Sequence, residues 1–524
     1  MRKPSDDRMI RGAVWLTLGL GVLDRAIVLF GFAFTHIGID DALIMQVAVD
    51  YGNGIFREPF LYGQNYNPML EALLAAPFVR LGAAPWIVLP IVTSVLALFP
   101  FWSWSLWALR KGAIAASLVV ALVPLVLPAE WSMITSMPRG WVHGLALMAF
   151  MPWLLNARHA WSRHLLLAFT SVAALLCNAN ALPLTAAFAL WLVLRDGRHV
   201  SLWISAALAT AIGYGLHSAA QGWYAARPGS VVHPLGPDDL AFDPSLIADG
   251  LSNIGLHVQH LHPLGGMGWV AVALLLVAAF FLLRQGEWRV AASMAAAVAI
   301  LILALGIPKV HEGCASVFFP RSRMMLSTPL LLTGTLAWLL RGSRVPRWFA
   351  IAGPVLALIT VLVRTHALEG TVKHELAQQK CAWVREEPLR SVRDRCEAIH
   401  ETAITNGCGL IVPIRWPHLK VDHREHFAAH LTCYACPVLI EGFPSAFGAG
   451  FDRRSWVREA HDQAPQGRVL FVGGDVTAWQ RAIAAGLIIE DVSGQGIPMH
   501  IAQCDSVAIG EFILRLGIDD DLGR

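Results

Sequence analysis

The sequence predicts a polytopic α-helical membrane protein of about eleven transmembrane helices, followed by a soluble α/β domain on the outer face. Three observations carry that expectation. Of 524 residues, 56% are hydrophobic and only 15% charged, and the mean hydropathy is positive, a combination foreign to ordinary soluble domains. Apolar segments of spanning or near-spanning length recur along the first two thirds of the chain. The short loops on one side of these segments are all basic. A formal net charge of +3 is small for this length, and no long Lys/Arg run points to nucleic acid as a partner.

The N-terminus, "MRKPSDDRMIRGAVWLTLGLGVLDRAIVLFGFAF", puts basic residues before an apolar stretch that is too long for a signal peptide and lacks a small-residue cleavage site. It reads as a retained first span. Further spans are expected at roughly 86–109, 113–128, 140–156, 164–177, 180–194, 201–220, 265–283, 290–306, 324–340 and 348–364. With the N-terminus inside, the inner loops carry Arg110 and Lys111, Arg158 and Arg163, Arg195 and Arg198, Arg284 and Arg289, then Arg341, Arg344 and Arg347. The two segments around "LLCNANALP" are only about fourteen residues each, short enough to be full spans or a re-entrant pair.

Four outer segments have the length for chemistry: 35–85, 129–139, 221–264 and 307–323. In the first, "DDALIMQVAVDYG" carries an apolar stripe through Leu43, Ile44 and Val47 and ends at Gly52 and Gly54, predicting an amphipathic helix on the outer membrane surface. A second is expected in "NPMLEALLAAPFVRLG", started by Pro68 and ended by Gly82.

A domain boundary is expected near 365, with a membrane domain over 1–365 and an external domain over 366–524. In the external part, a charged helical stretch near 371–405 precedes β-like runs at "GLIVPI", "CPVLIEG" and "GRVLFVGG", then a helix at "DVTAWQRAIAAG", a small α/β pattern. "VLFVGGDVTAWQ" lacks both GxGxxG and a Walker lysine, so it reads as strand-to-helix packing. Cys381, Cys396, Cys408, Cys433, Cys436 and Cys504 form an even set suited to disulfides in an oxidising compartment, and the CxxC of Cys433 and Cys436 reads as structural. A bond between Cys177 and Cys314 is a further option. Trp416, Trp456 and Trp479 are expected in core packing, with stacking on sugar rings as the alternative use.

Adjacent carboxylates at Asp40 and Asp41 have a plain structural use, capping the N–H groups at a helix start. Their place just after the first span gives them a second one. There a carboxylate meets both a lipid head group and a water-borne acceptor, and serves as general base or metal ligand. Arg321 and Arg323 lie at the outer end of a span, against the positive-inside bias; they snorkel to the interface or hold a phosphate at head-group depth. Asp24 and Arg25 interrupt the first span and, as sequence neighbours on a helix, each need another partner; an interhelix contact is expected for both. His257, His260 and His262 in "HVQHLH", together with His311 and Glu312, have metal-ligand chemistry but are ordinary loop residues by base rate.

These residues resemble a family. The first external loop, "IDDALIMQVAVDYGNG" followed by "LYGQNYNPMLEALLAAPFVRLG", is similar to bacterial membrane glycosyltransferases of the GT-C superfamily, including protein O-mannosyltransferases and aminoarabinose transferases. These show an acidic pair after the first span, and many a pattern like GQxYxxxLE, matched here by Gly63, Gln64, Tyr66, Leu70 and Glu71. "PRSRMMLSTPLLL" resembles their Arg-Tyr start of a late span, with Arg323 at the Arg position and Met324 where Tyr is common. The resemblance covers about residues 10–365. It implies a GT-C-like fold in a bacterial inner membrane, with a cytoplasmic N-terminus and a periplasmic C-terminal domain. It further implies transfer of a hexosyl or pentosyl group from a polyprenyl-monophosphate donor to a lipid, glycan or protein acceptor. By position, Asp40 would serve the acceptor hydroxyl, Asp41 would support it or hold a divalent metal (Mg, Mn or Ca), and Arg323 with Arg321 would hold the donor phosphate. Gln64, Tyr66 and Glu71 would form the substrate loop, and His311 and Glu312 are the further metal candidates. Two other classes stay open: a flippase for a lipid-linked intermediate, and a non-catalytic membrane assembly protein.

Overall fold

The computed structural model describes residues 4–227, 230–231, 234–263, 267–343, 347–378, 386–414, 431–432, 434–444, 467–473, 479–480, 483–484, 488–494 and 497–504. The chain divides into two compact units, one of residues 1–34, 89–219 and 235–383, the other of 35–88, 220–234 and 384–524. This division differs from the boundary expected at 365. The helix Arg347–Gln378 passes through that position unbroken, and the first outer segment groups with the C-terminal residues.

The first unit is helical. Each of the eleven predicted spans falls on helix, and six are long and apolar enough to cross a membrane: Arg8–Ala33, Pro85–Arg110, Ala160–Cys177, Val200–Ala225, Arg321–Leu340 and Trp348–Gln378. The chain is a multi-pass membrane protein. Helix α1 (Pro4–Val28) runs on through a π-helical turn at Leu29–Ala33. At 26 residues, Pro85–Arg110 reaches about 39 Å, more than a hydrocarbon core of roughly 30 Å. The five other segments form shorter helices, from the twelve residues of the broken run His143–Leu154 to seventeen in Gly268–Arg284 and Trp288–Ala304. Of the two segments around "LLCNANALP", Ala160–Cys177 has full spanning length and Leu182–Asp196 has fifteen residues. Between them Asn178 caps a short 3-10 turn by accepting from Asn180 N at 3.0 Å. The apolar core runs through Phe32, Phe101, Trp131, Phe318 and Leu326.

Asp24 and Arg25 do engage partners on other helices. Arg364 donates to Asp24, and Arg25 donates to Ser132 O at 2.8 Å. Cys177 is a free thiol whereas Cys314 is disulfide-bonded, so the bond considered between those two does not form.

In the second unit, strand β1 (His36–Gly38) directly follows the end of the first span and pairs antiparallel with β2 (Glu386–Pro388). Helix α2 (Ile39–Gly52) then packs against α3 (Leu70–Arg80). The expectation of an amphipathic surface helix needs correcting for α2: Ala42 to Ala48 are all buried, and Asp41 and Asp50 with them, so no face is left for a membrane surface. The apolar positions of this sequence surround the helix rather than line one side. Helix α3 does keep an apolar exposed face, through Leu73, Leu74 and Phe78.

A four-stranded sheet lies further along, in the order β3 (Leu410–Ile414), β4 (Gly467–Gly473), β6 (Met499–Cys504), β5 (Ile489–Asp491); β3 and β4 are parallel and the other pairs antiparallel. Helix Leu389–Thr405 buries Ile399 and Ala403 against Ile411, Leu470 and Ile501 of this sheet. "CPVLIEG" is not a strand: residues 434–439 are helical, and Cys436 on that helix is bonded to Cys396. A short apolar run with two β-branched residues does not distinguish strand from buried helix. Cys408 is a free buried thiol, which removes it from the expected disulfide set, while Cys381 and Cys433 lie outside the described residues. Trp479 is buried and stacked on His500 at 4.1 Å between centroids, a packing role; Trp416 and Trp456 lie outside the described residues.

Candidate functional site

The acidic pair divides its labour. Gly38 is extended and precedes α2 as its N-cap, and Asp41 at the third helical position accepts from Gly38 N through Oδ2 at 3.1 Å, the one half of a capping box that a glycine N-cap allows. Asp40, one residue earlier, is only partly buried and lies in the same first turn. The helix N-terminus favours negative charge there, so both carboxylates suit their positions.

The loop between α2 and α3 carries Gln64 and Tyr66, and Glu71 opens α3. Two carboxylates that sequence reading did not single out fix this loop. Asp50 accepts from Arg57 Nε and Tyr62 OH, both at 2.8 Å, and Glu58, fully buried, accepts from Gly63 N at 3.0 Å and Tyr224 OH at 3.3 Å. Burial, reinforced by Asp50 and Glu58, raises the Tyr51 phenol to about 12, and burial with Asp50 pushes Tyr62 well above the ordinary tyrosine range. Both phenols stay protonated donors. Gln221 Nε2 donates to Asn65 O at 2.7 Å, and Asn67 takes a left-handed backbone with φ of 70° before α3 begins. Gln64 and Tyr66 are partly exposed on this braced loop, whereas Glu71 is fully buried. Gln64 Oε1 is buried without a hydrogen-bond partner among the described residues.

In the first unit, the loop leading to the 3-10 turn Arg321–Met325 is equally braced. Cys314 N donates to Phe319 O at 2.9 Å and Arg321 N to Cys314 O at 3.1 Å. Arg139 donates to Phe318 O, and Glu375 accepts from Val317 N at 3.0 Å. Gly313 makes the tight fold possible: its φ is 100°, and a Cβ there would meet Phe319 O and lie 2.6 Å from Arg323 Nη1. Arg323 is buried and works for the loop. Its Nη1 donates to Glu312 O at 2.7 Å and Pro320 O at 2.9 Å, its Nη2 lies 3.5 Å from the Glu312 carboxylate, and its guanidinium covers the Phe319 ring at 4.0 Å. Arg321 is partly exposed and donates through Nε to Gly313 O at 3.1 Å, so its two terminal nitrogens point to no acceptor among the described residues.

The metal candidates are engaged elsewhere. Asp41 caps α2, Glu312 pairs with Lys309 at 2.9 Å and with Arg323, and His311 Nε2 meets Leu305 O at 2.6 Å. No group of three or more His, Cys, Asp or Glu suited to a metal ion occurs among the described residues. His257 packs edge-on against His311 at 5.2 Å and is fully buried. Desolvation first, then His311 and Arg321, lower its imidazole to about 4, so it is neutral at ordinary pH. Burial also lowers His260 and His262. Of the functional residues missed from sequence, Glu58 had a faint signal, five residues before a loop glycine, and Gly313 one beside Glu312; the reach of Tyr224 and Glu375 had none.

By sequence, no family model matches the chain and no curated relative does. By structure, it resembles ArnT from Cupriavidus metallidurans. The structure of ArnT bound to undecaprenyl phosphate aligns over 95% of this chain and 99% of ArnT at a TM-score of 0.52, with 14% identity. The apo structure aligns over 96% and 99% at 0.54, with 12% identity. At such identity the likeness speaks for architecture. The chain therefore has the fold of ArnT.

Proposed function

We propose that this protein is a membrane glycosyltransferase that moves a hexosyl or pentosyl group from a polyprenyl-monophosphate donor to a lipid, glycan or protein acceptor on the extracytoplasmic side of a bacterial inner membrane. In this reading the N-terminus is cytoplasmic and the C-terminal residues are periplasmic. The observation that carries it is Asp40, partly exposed in the first turn of α2 beside an Asp41 that caps the helix. Support comes from the fold shared with ArnT, one of whose structures holds undecaprenyl phosphate.

The chemistry assigns each residue one task. The acceptor hydroxyl attacks the anomeric carbon, the bond from that carbon to the phosphate oxygen breaks, and Asp40 takes the hydroxyl proton. General-base help of this kind is worth on the order of 10² to 10⁴ in rate. Negative charge grows on the departing polyprenyl phosphate, and Arg321, with a free guanidinium edge, is the group to meet it. Arg323 acts by holding the loop that presents Arg321. Gln64 and Tyr66 supply polar contacts to sugar or acceptor from the braced loop, and Glu71 supports them from the base of α3. No step of this reading runs through a divalent cation.

The test is turnover of a panel of radiolabelled polyprenyl-phosphate sugars by purified protein in lipid nanodiscs, with membrane extract as acceptor. Consumption of one donor with sugar appearing in the extract supports the reading. Movement of labelled lipid between leaflets without sugar transfer would replace it with a flippase.

A further inference from the structure

Helix α3 leads straight into a candidate span. It buries Glu71, Ala72, Ala75 and Ala76 on one side and exposes Leu73, Leu74, Pro77 and Phe78 on the other, followed by Leu81, which is 84% exposed. Gly82, Ala83 and Ala84 then join it to Pro85, where the 26-residue segment Pro85–Arg110 begins. So short a link keeps the end of α3 within about 14 Å of the span. Its apolar face therefore meets the leaflet at that end of the span.

Trp86, in the first turn of the same span, is partly buried and carries the guanidinium of Arg393 over its ring at 4.9 Å. A tryptophan at the end of a span sits at head-group depth, and its contact puts Arg393 there with it. Arg393 belongs to the helix Leu389–Thr405, whose packed side is Val392, Cys396, Ile399 and Ala403. Arg390, one turn earlier, is exposed. Of the other charged residues at this helix start, Arg395 is taken by Glu387 at 3.1 Å, and Asp394 is exposed. Neither Arg390 nor Arg393 makes a hydrogen bond or ion pair with a described residue. Positive charge in the first turns of a helix opposes its dipole, whereas an anion there is favoured. Two arginines kept against that preference, without a carboxylate, at head-group depth and beside an exposed apolar helix, are complementary to lipid phosphate.

We propose that Arg390 and Arg393 bind the phosphates of anionic phospholipids in the leaflet at the Pro85 end of the span, and that with the exposed face of α3 they form one membrane-docking surface. The same helix start is bonded to the first outer segment, Leu389 N donating to Thr35 O at 2.8 Å, so a lipid held there steadies the strand that leads into α2. The proposal depends only on Pro85–Arg110 crossing the membrane, and not on the roles given to Asp40 and Arg321.

The experiment follows backbone hydrogen exchange of the full-length protein in nanodiscs of phosphatidylcholine, with and without phosphatidylglycerol. Amides of residues 389–395 are expected to exchange about five- to thirty-fold more slowly with phosphatidylglycerol present, from the attraction of one to two basic side chains to an anionic surface. The difference should vanish at about 1 M salt, where charges are screened within roughly 3 Å. Residues 400–405, at the far end of the helix, should show none. Arg390→Gln combined with Arg393→Gln removes the lipid effect; should that protein not fold, Arg390→Gln alone, at an exposed position, lowers it about five-fold. Equal exchange in the two lipids for wild type, an effect that survives high salt or is undiminished in the variants, or protection that requires two copies of the chain in one disc would overturn the proposal.

Discussion

The segment of residues 35–88 and the loop of residues 307–323 treat their charges alike, with opposite sign. In the first, Asp41 is buried and accepts from the helix's N-cap nitrogen while Asp40 beside it is partly exposed. In the second, Arg323 is buried under Glu312, Pro320 and Phe319 while Arg321, two residues earlier, keeps a free edge. In each, one charged residue builds the local structure that presents its neighbour. A doubled charge in an outer loop of a membrane protein is thus better read as one scaffold residue and one chemical residue than as two equivalent ligands.

Substitutions within each pair should separate the two roles. The largest effect is expected at Asp40: Asp40→Asn should lower turnover by about 10² to 10⁴ and lower the thermal midpoint only slightly, by loss of a favourable charge at the helix N-terminus. Arg321→Ala should cost on the order of 10² in turnover, again with little change in midpoint. Arg323→Ala breaks the comparison if it behaves the same way. It is expected instead to destabilise the fold by about 3 kcal/mol, through loss of charge-assisted bonds that hold the loop, visible as a lower midpoint before any assay.

A pH effect sharpens the second half. His257 beside Arg321 has its folded value lowered from 6.5 to about 4. Between those values the unfolded chain binds the proton and the folded protein does not, so stability is fully present above about pH 6.5 and is lost as pH falls toward 4. The loss is on the order of 3 kcal/mol across that window. Midpoints measured from pH 7.5 to 4 should fall less steeply for His257→Gln than for wild type. The smallest effect is at the cap: Asp41→Ala should cost about 1 kcal/mol, with Asp41→Asn retaining most of it by keeping an acceptor for Gly38 N.

What was legible in the sequence was local. The apolar segments, the acidic pair at the start of a helix and the helix end at Gly82 are written in neighbouring residues: every apolar segment is helical, six of them among the described residues with the length and composition to span, and α2 and α3 begin and end close to the residues that signal it. What escaped depends on residues far apart. Tyr224 reaches Glu58 across 166 positions, Glu375 reaches Val317 across 58, and Cys436 pairs with Cys396 rather than with the nearby Cys433. Helix α2 misled for a different reason. Its sequence is apolar with few polar positions, and a membrane surface and a protein core select the same composition. The separate duties of Asp40 and Asp41 could not be read from adjacency alone, since either could have capped the helix.

The central claim is that Asp40 performs the chemistry and Asp41 the architecture. Donor consumption and thermal midpoint should be measured side by side for wild type, Asp40→Asn and Asp41→Ala in nanodiscs with the accepted polyprenyl-phosphate sugar. The account predicts that Asp40→Asn loses consumption with at most a slight fall in midpoint, while Asp41→Ala melts earlier and keeps most of its turnover at low temperature. Retained turnover in Asp40→Asn, or its complete loss in an Asp41→Ala protein that melts like wild type, would contradict it.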